Sequence, residues 1–437
     1  MSSQKRVVIT GLGPICSLGA GCRQVWQNLR AGNTNRQTHN QIIRDEECFS
    51  FPLQMVPEQA LAGITLPESA RRVIKQKQEG ESDADLKLLL SAIQLALADS
   101  RLRYDENAND IGLVFTHESP GVDKVMEKMF TLATELIYNP SKLARLAGIG
   151  AICENLVSQV GQNVYEMQSF IYLYFVAKAF NLHGYSLYVN NACASGLFAI
   201  EAAAKQIRAG NSSVMVVVGG DHPTFFTKYL WFKKMGLYAK DGEMRPFDRK
   251  RRGIVLGDGA TAMIVEERDH AIQRGAQIYA EYLGGGFRLE GGHAVLPDIN
   301  NPSYLEAVSD AFHTTSLAPS QVDLLVPHGV GTGLGDTCEA DVITRAFGEL
   351  PDTPLITAFK GYVGHNLGGS AMLESALLLL AMSHGMVPPT RNCDSPDPKL
   401  KIKPVHEWRS ANLRIGMKIA TGFAGYHAAA LFQRECP

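Results

Sequence analysis

The chain has 437 residues, 45% of them hydrophobic and 20% charged, with a formal net charge of −2. That length supports a large core, as one big domain or two similar halves, and the near-neutral balance excludes a global pull toward nucleic acid or anionic membrane. The eight cysteines are scattered without a C-x-x-C pair, which reads as reduced thiols rather than a disulfide framework.

The first residues lead straight into Val7-Val8-Ile9-Thr10, too soon for the apolar core of a signal peptide. The longest apolar run, Ala376 to Met382, is too short to span a bilayer. A soluble, cytoplasmic protein without membrane insertion is expected. Arg6 to Gly13 reads as a buried strand closing on a glycine turn, and Gly21 to Ala31 as a helix stopped by Gly32. Gly11-x-Gly13 opens like a dinucleotide fingerprint, which would predict nicotinamide binding. Cys16 stands where the third glycine is wanted and Pro14 interrupts the turn, so a plain strand-to-loop turn is preferred.

Residues 33–68 read as irregular. Helices are predicted over Pro67 to Gln78, carrying Arg71, Arg72, Lys75 and Lys77, and over Ala84 to Asp99, before a strand at Ile111 to Thr116. Residues 120–185 read as mostly helical, with an aromatic second half that packs on a protein layer and not on lipid.

The chain is organised around Asn190-Asn191-Ala192-Cys193-Ala194-Ser195-Gly196. It lies between a predicted strand, Ser186 to Val189, and a predicted helix, Leu197 to Ala209, that stops at Gly210. A cysteine there meets unpaired backbone N–H groups and a positive helix end, features that lower a thiol pKa and cradle an oxyanion. Taken alone, the stretch reads first as a small buried cysteine in a tight turn.

Val214 to Val218 follows as a strand, then a turn through Gly257 and Gly259 into a strand ending at Val265. From about Gly275 come the strand Ile278 to Leu283, a glycine-rich loop, the helix Tyr304 to Ser316, and the strand Leu324 to Val326 leading to His328. The pattern Cys193-turn-helix-Gly210-strand is echoed by His365-turn-helix-Gly385-strand. Each half also closes with an apolar strand, Ala260 to Val265 and Ala428 to Phe432. Layered α/β architecture built by duplication follows.

Four stretches could converge: Cys193, His328, the Lys360-to-His365 loop, and Gly422-Phe423-Ala424-Gly425. A metal held by His328, Cys338 and His365 lacks ligand spacing, so no metal is expected. In order along the chain these motifs resemble the elongating type I/II branch of the β-ketoacyl-[acyl-carrier-protein] synthases, in the thiolase superfamily. The resemblance rests on Val7 to Gly13, Ala192 to Gly196, Phe247-Asp248 with Gly257-Asp258-Gly259, and His328 to Glu339. It continues through Lys360, His365, Leu367-Gly368-Gly369, Glu374 and Gly422 to Gly425.

What the resemblance implies is specific. The fold would be a duplicated α-β-α-β-α arrangement with halves at 1–270 and 271–437, and 120–185 would wall a pocket or form a dimer interface. Cys193 would be the acyl-accepting nucleophile, with the N–H groups of Cys193 and Phe423 as its oxyanion hole and Phe423 as gate. His328 and His365 would bind the malonyl thioester carbonyl, Lys360 paired with Glu374 would fix their charge state, and Thr332 would support the site. No cofactor is implied beyond the phosphopantetheine that carries substrates on acyl carrier protein. That acidic partner would dock on Arg71, Arg72, Lys75 and Lys77. A homodimer, or a heterodimer with another ketosynthase-like chain, is implied.

Four positions depart from the family pattern. Val330 and Val295 stand where pantetheine-contacting threonines are usual, and Ala424 and His427 replace a glycine and an asparagine of the gating loop. A valine can neither donate nor accept the amide hydrogen bond. The departures motivate a second reading, an acyltransferase that loads Cys193 without elongating. A third, a non-catalytic partner subunit, is opposed by the intact Cys193.

Overall fold

The computed structural model describes residues 5–43, 46–77, 84–102, 110–139, 141, 148–166, 168–224, 226–298, 300, 302–348 and 354–435, and its centre is one continuous mixed sheet. From the middle outward, one side runs Val7–Cys16, Gly259–Glu267, Val214–Asp221, Ile111–Thr116, Ser186–Val189. The other runs Ala280–Leu289, Tyr426–Gln433, Ile415–Gly422, Leu324–Val326, Leu355–Ile356. Numbered along the chain, both sides read 1-5-4-2-3, with the two inner joins antiparallel and the two outer joins parallel. They meet where Val8 and Ile9 pair with Glu281 and Ala280. The duplication expected from the sequence echo is therefore present as topology.

Side chains alternate across a strand, and here both faces are apolar because both are covered. On one side of the sheet, Met215, Val217, Met263 and Val265 face a shared inner cluster. Their neighbours Val214, Val216, Ala262 and Ile264 face the helix Ala84–Ser100. On the other side, Leu324, Val326, Ala428 and Ala430 point inward, while Leu325, Met417 and Leu431 meet the helix Ser303–Thr315. The inner cluster is filled by two helices, Ser195–Arg208 and Ser370–His384. Five layers result, α-β-α-β-α.

The stretch Leu367–His384 is apolar and long enough to cross a membrane by composition, but 89% of it is buried in the molecule. It is a core helix. The two inner helices touch backbone to backbone: a Cβ on Gly196 would lie 2.4 Å from the Met372 nitrogen.

Three expectations are corrected. Gly11 and Gly13 sit inside the strand Val7–Cys16, not in a turn, and a Cβ on Gly13 would come within 2.0 Å of the Ala92 carbonyl oxygen. These glycines let a helix lie on the strand and form no phosphate cradle. The irregular stretch 33–68 contains the hairpin Arg36–Ile43/Glu46–Gln54, hidden because its first strand is mostly polar. The glycine-rich loop after Leu283 is strand, since Gly284 to Gly286 pair with Ala429 to Leu431. Residues 120–185 hold the helices Val122–Tyr138, Ile149–Glu166 and Ser169–Phe180, the last burying Tyr172, Val176 and Phe180 beside the helix Ala84–Ser100.

Candidate active site

The strand Ser186–Val189 ends in a turn that Ser195 ties off. Its Oγ accepts from the Asn191 N–H at 2.7 Å and donates to the Ala192 carbonyl at 2.6 Å. Ala192 is held at φ +49°, a left-handed conformation that costs a non-glycine residue about 1 kcal/mol or more. The bend presents Cys193, nearly fully buried, just before the helix Ser195–Arg208. From the other half, the Phe423 backbone N–H acts on the Cys193 sulfur in the sense that favours its thiolate.

The thiol pKa does not move as expected. Burial pushes it up, Glu118 and Asp221 push it further, and Lys360 and the Phe423 N–H oppose them. The helix end was legible in the sequence; the two carboxylates, brought from other strands, were not. The balance favours the thiol form of Cys193.

His328 follows the strand Leu324–Val326. Glu339 fixes its backbone, accepting from the N–H groups of His328 at 2.6 Å and Gly329 at 2.7 Å, and from the Tyr304 hydroxyl at 2.7 Å. Lys360 Nζ donates to the His328 carbonyl at 2.6 Å, to both Glu374 oxygens at 2.8 and 2.7 Å, and faces His328 Nδ1 at 3.4 Å. On Glu374 a second lysine converges: Lys418 Nζ lies 2.9 Å from Oε2 and donates to the Pro327 carbonyl at 2.8 Å. Lys360, Lys418 and Glu374 are at most 1% exposed. Lys418 is pushed down to about 8 by burial, with Lys360 adding to the shift.

His365 Nδ1 accepts from the Leu367 N–H at 3.1 Å and lies 2.9 Å from Ser370 Oγ. The two imidazoles stand 5.4 Å apart at 78°. Burial, then the nearby ammonium of Lys360, holds both well below the ordinary histidine pKa, so both are neutral. With donors facing both Nδ1 atoms, each ring keeps its proton on Nε2. The pair therefore offers two N–H donors to the cavity it lines.

That cavity, about 140 Å³, is mostly apolar and is bounded by Cys193, His328, His365, Phe423, Val295 and Val330. Phe423 stands edge-on to Trp231, centroids 5.4 Å apart. Its neighbour Ala424 has φ +60°, the conformation that glycine adopts freely, and donates its N–H to the Ala294 carbonyl at 2.8 Å. His427 bridges Thr421 at 3.0 Å and Glu290 at 3.2 Å and stacks on Tyr304 at 4.7 Å. Thr332 lines the cavity too, but its oxygen caps the helix Gly333–Phe347 by accepting from the Gly335 N–H.

Behind Cys193 lies a charged cluster that sequence reasoning missed. His117 sits between Asp85 at 3.2 Å and Asp221 at 3.3 Å, and Lys228 lies 3.4 Å from Asp221. Burial alone would lower the His117 pKa; the two carboxylates outweigh it and raise it. Asp221 also accepts the Gly368 N–H at 3.0 Å, tying the cluster to the His365 loop. Lys418 was the more findable omission, a lone charge in the apolar strand Ile415–Gly422.

Arg71, Arg72 and Lys75 are exposed on the helix Glu68–Lys77, where Arg72 pairs with Glu68; none of them lines the cavity. The side chain of Lys77 lies outside the described residues. A second basic run, Arg249, Lys250 and Arg252, is exposed next to the cavity-lining Ile254, and Gly253 anchors it by donating to the Gly331 carbonyl at 2.9 Å. Among the described residues no group of three metal-ligating side chains is present.

The chain is similar to known proteins along nearly its whole length. Family profiles described as "Beta-ketoacyl synthase, N-terminal domain" and "Beta-ketoacyl synthase, C-terminal domain" match residues 4–271 and 279–394. "Nodulation protein E" of Rhizobium sp. (strain N33) is 31% identical, covering 98% of this chain and 99% of its own. "3-oxoacyl-[acyl-carrier-protein] synthase 2" of Coxiella burnetii is 27% identical over 99% of each chain. Among solved structures, "The ishigamide ketosynthase/chain length factor" superposes with a TM-score of 0.81 at 22% identity, over 99% of this chain and 100% of that one. A β-ketoacyl synthase from Burkholderia phymatum gives 0.77 at 25% identity, over 99% and 100%.

Proposed function

The chain belongs to the β-ketoacyl synthase family, and we propose that it condenses an acyl thioester held on Cys193 with malonyl-acyl-carrier protein. It is an acyltransferase-class enzyme of fatty-acid or polyketide-type synthesis. In the first step the Cys193 sulfur attacks the acyl carbonyl of a carrier thioester, and the N–H groups of Cys193 and Phe423 hold the oxyanion. The pantetheine thiol leaves protonated. In the second, the malonyl thioester carbonyl sits between the Nε2–H donors of His328 and His365. The malonyl carboxylate leaves as CO2, and the resulting enolate, stabilised by those donors, attacks the Cys193 thioester. Carbon–carbon bond formation expels the thiolate, which takes up one proton.

The observation that carries this reading is the tautomer of the pair. An enolate oxygen needs donors, and Lys360 and Leu367 occupy the Nδ1 atoms, leaving two neutral Nε2–H groups at a cavity shared with Cys193. Burial keeps both rings neutral, and Lys360, balanced by Glu374, adds to it. Phe423 is read as the gate and Thr332 as a support. The scheme uses no metal or redox cofactor; phosphopantetheine arrives with the substrate.

The partner in this reading is acyl carrier protein, docking on exposed basic residues. Arg71, Arg72, Lys75 and Lys77 are one candidate patch, and the Arg249–Arg252 run beside the cavity is another. A cytoplasmic dimer is proposed, of two copies or with a second ketosynthase-like chain, with its halves divided at 270/271. The test is incubation of purified protein with acyl- and malonyl-carrier protein. CO2 release and a ketoacyl product are expected, and their absence from protein with reduced, intact Cys193 would sink the reading.

Val295 and Val330 favour one second reading, acyl transfer without elongation, since both line the cavity where a hydroxyl would hold the malonyl arm. It predicts acylated Cys193 and transfer to another acceptor, with no CO2.

A further inference from the structure

Lys418 is fully buried, yet none of the proposed steps uses it. It stands in the middle of the strand Ile415–Gly422, paired with Val326 on one side and Ala430 on the other. Met417 and Ile419 face the outer cluster, so Lys418 and Ala420 point the other way, into the apolar inner cluster. Burying an ammonium there is costly and calls for a compensating role. Neutralising Glu374 is not that role, because Lys360 already donates to both of its oxygens. What Lys418 adds is its bond to the Pro327 carbonyl at 2.8 Å, with Glu374 Oε2 anchoring the ammonium at 2.9 Å. The next residue is His328. Its carbonyl accepts from Lys360 at 2.6 Å, and its N–H and that of Gly329 donate to Glu339. Both peptide groups that flank His328 are therefore held at carbonyl and N–H alike, by three buried charges. Without Lys418 the first of them keeps its N–H bond alone.

We propose that Lys418 is a positioning residue of the condensation half-reaction: it fixes the peptide before His328, and with it the aim of the His328 Nε2–H. The inference rests on the reading of His328 and His365 as the donors to the enolate. The two rings stand 5.4 Å apart at 78°, and a turn of the Pro327–His328 peptide would swing one donor off an oxygen they share. The same strand runs on into Gly422 and Phe423, where a Cβ on Gly422 would lie 3.1 Å from the Cys193 nitrogen. Lys418 thus ties the His328 turn to the loop beside the nucleophile. Its grip depends on charge, since bonds from an ammonium are about twice as strong as those from a neutral amine. The groups facing it are Glu374, Lys360 and Glu339, from three helices, and the two imidazoles; its strand neighbours Val326 and Ala430 carry no charge. Burial first, and then Lys360, lowers its pKa to about 8 against the pull of Glu374 and Glu339.

The test compares the wild type with Lys418→Met, which leaves Lys360 and Glu374 as a balanced pair, and reads the two half-reactions separately. Acylation of Cys193 by acyl-carrier protein is followed by mass spectrometry, and decarboxylation of malonyl-carrier protein on the acylated enzyme by CO2 release. Lys418→Met should lower the maximal rate of CO2 release by about 10- to 100-fold, the effect of a misaimed donor, with KM and Cys193 acylation changed by less than about twofold. In the wild type, CO2 release should fall as pH rises through about 8, and Lys418→Met should lack that limb. The wild-type limb is read whether or not the variant folds. Equal loss of both half-reactions, a raised KM at an unchanged maximal rate, or a wild-type profile flat to about pH 9.5 overturns the proposal. If acylated wild type releases no CO2 at any pH, the condensation reading fails by itself. Imidazole nitrogen NMR of histidine-labelled protein then decides on Lys418: the His328 signals, assigned by their loss in His328→Gln, should move in Lys418→Met more than those of His365. Equal movement, or none, overturns the positioning role.

Discussion

His117 and His328 each follow the second strand of their half of the sheet, both are buried, and their pKa values are shifted in opposite directions. His117 lies between Asp85 and Asp221, and its pKa is raised; His328 lies beside Lys360, and its pKa is lowered. The backbone around them is the same by topology. What differs is the sign of the charge that the neighbouring side chains supply. One half sets an acid-rich cluster behind Cys193, and the other sets two lysines beside a pair of buried, neutral imidazoles. A duplicated fold fixes where side chains converge, and the neighbours decide what they do there.

The contrast breaks most sharply at Lys360. Lys360→Ala leaves Glu374 with only Lys418 and removes a cation that adds to burial in holding the histidines neutral. Breaking a buried pair costs about 3–5 kcal/mol, so a large drop in urea-unfolding stability is expected; a loss under about 1 kcal/mol would show the pair to be dispensable. His365→Ala is expected to lower the condensation rate by about 10²- to 10³-fold, the effect of losing one oxyanion donor, while Cys193 still takes an acyl group in mass spectrometry. Equal loss of both activities would contradict the division of labour between the halves.

A pH series sharpens the comparison, because the two signs differ. The folded pKa values of His328 and His365 lie below the unfolded value of about 6.5, so their contribution is present above that pH and lost as pH falls. For His117 the folded value is raised, so its contribution is present below about 6.5 and lost as pH rises through the folded value. His365→Gln should flatten the acid limb of the stability profile and His117→Gln the alkaline limb. Variants that shift both limbs alike would refute the assignment. The smallest effect is expected from Ala424→Gly. Relief of a left-handed alanine, offset by a more flexible unfolded chain, should stabilise the protein by about 0.5–1 kcal/mol and loosen the Gly422–Gly425 loop, visible as faster hydrogen exchange at Phe423.

Much of the frame was legible in the amino-acid sequence. The strands Ile111–Thr116 and Leu324–Val326 fall where their apolar runs predict them, because short apolar runs bounded by turns are what buried parallel strands look like. Ser186–Val189 is also a strand where expected, but it is the half-exposed edge of the sheet rather than a buried strand. The convergence of Cys193, His328, Lys360 and His365 was legible only through the order of motifs, since no local pattern brings residues of two halves together. The direction of the Cys193 shift was misread for the same reason. The helix end is local, whereas Glu118 and Asp221 arrive from two other strands. Lys418 was hidden by its partner: a lysine in an apolar strand looks like a misplaced charge until Glu374 is opposite it.

The contact at Gly196 has a consequence for how this protein can change. Cys193 lies just before one inner helix and the His365 loop just before the other, and at Gly196 and Met372 the two helices meet without a side chain between them. Drift in one half therefore cannot be absorbed by repacking at that point. A chimera that joins the first half of this chain to the second half of a distant relative would need the same small residue facing the same backbone. Otherwise it would fold with its sulfur and its imidazoles out of alignment. Exchange between lineages is thus limited by a spacing of helix axes more than by any surface.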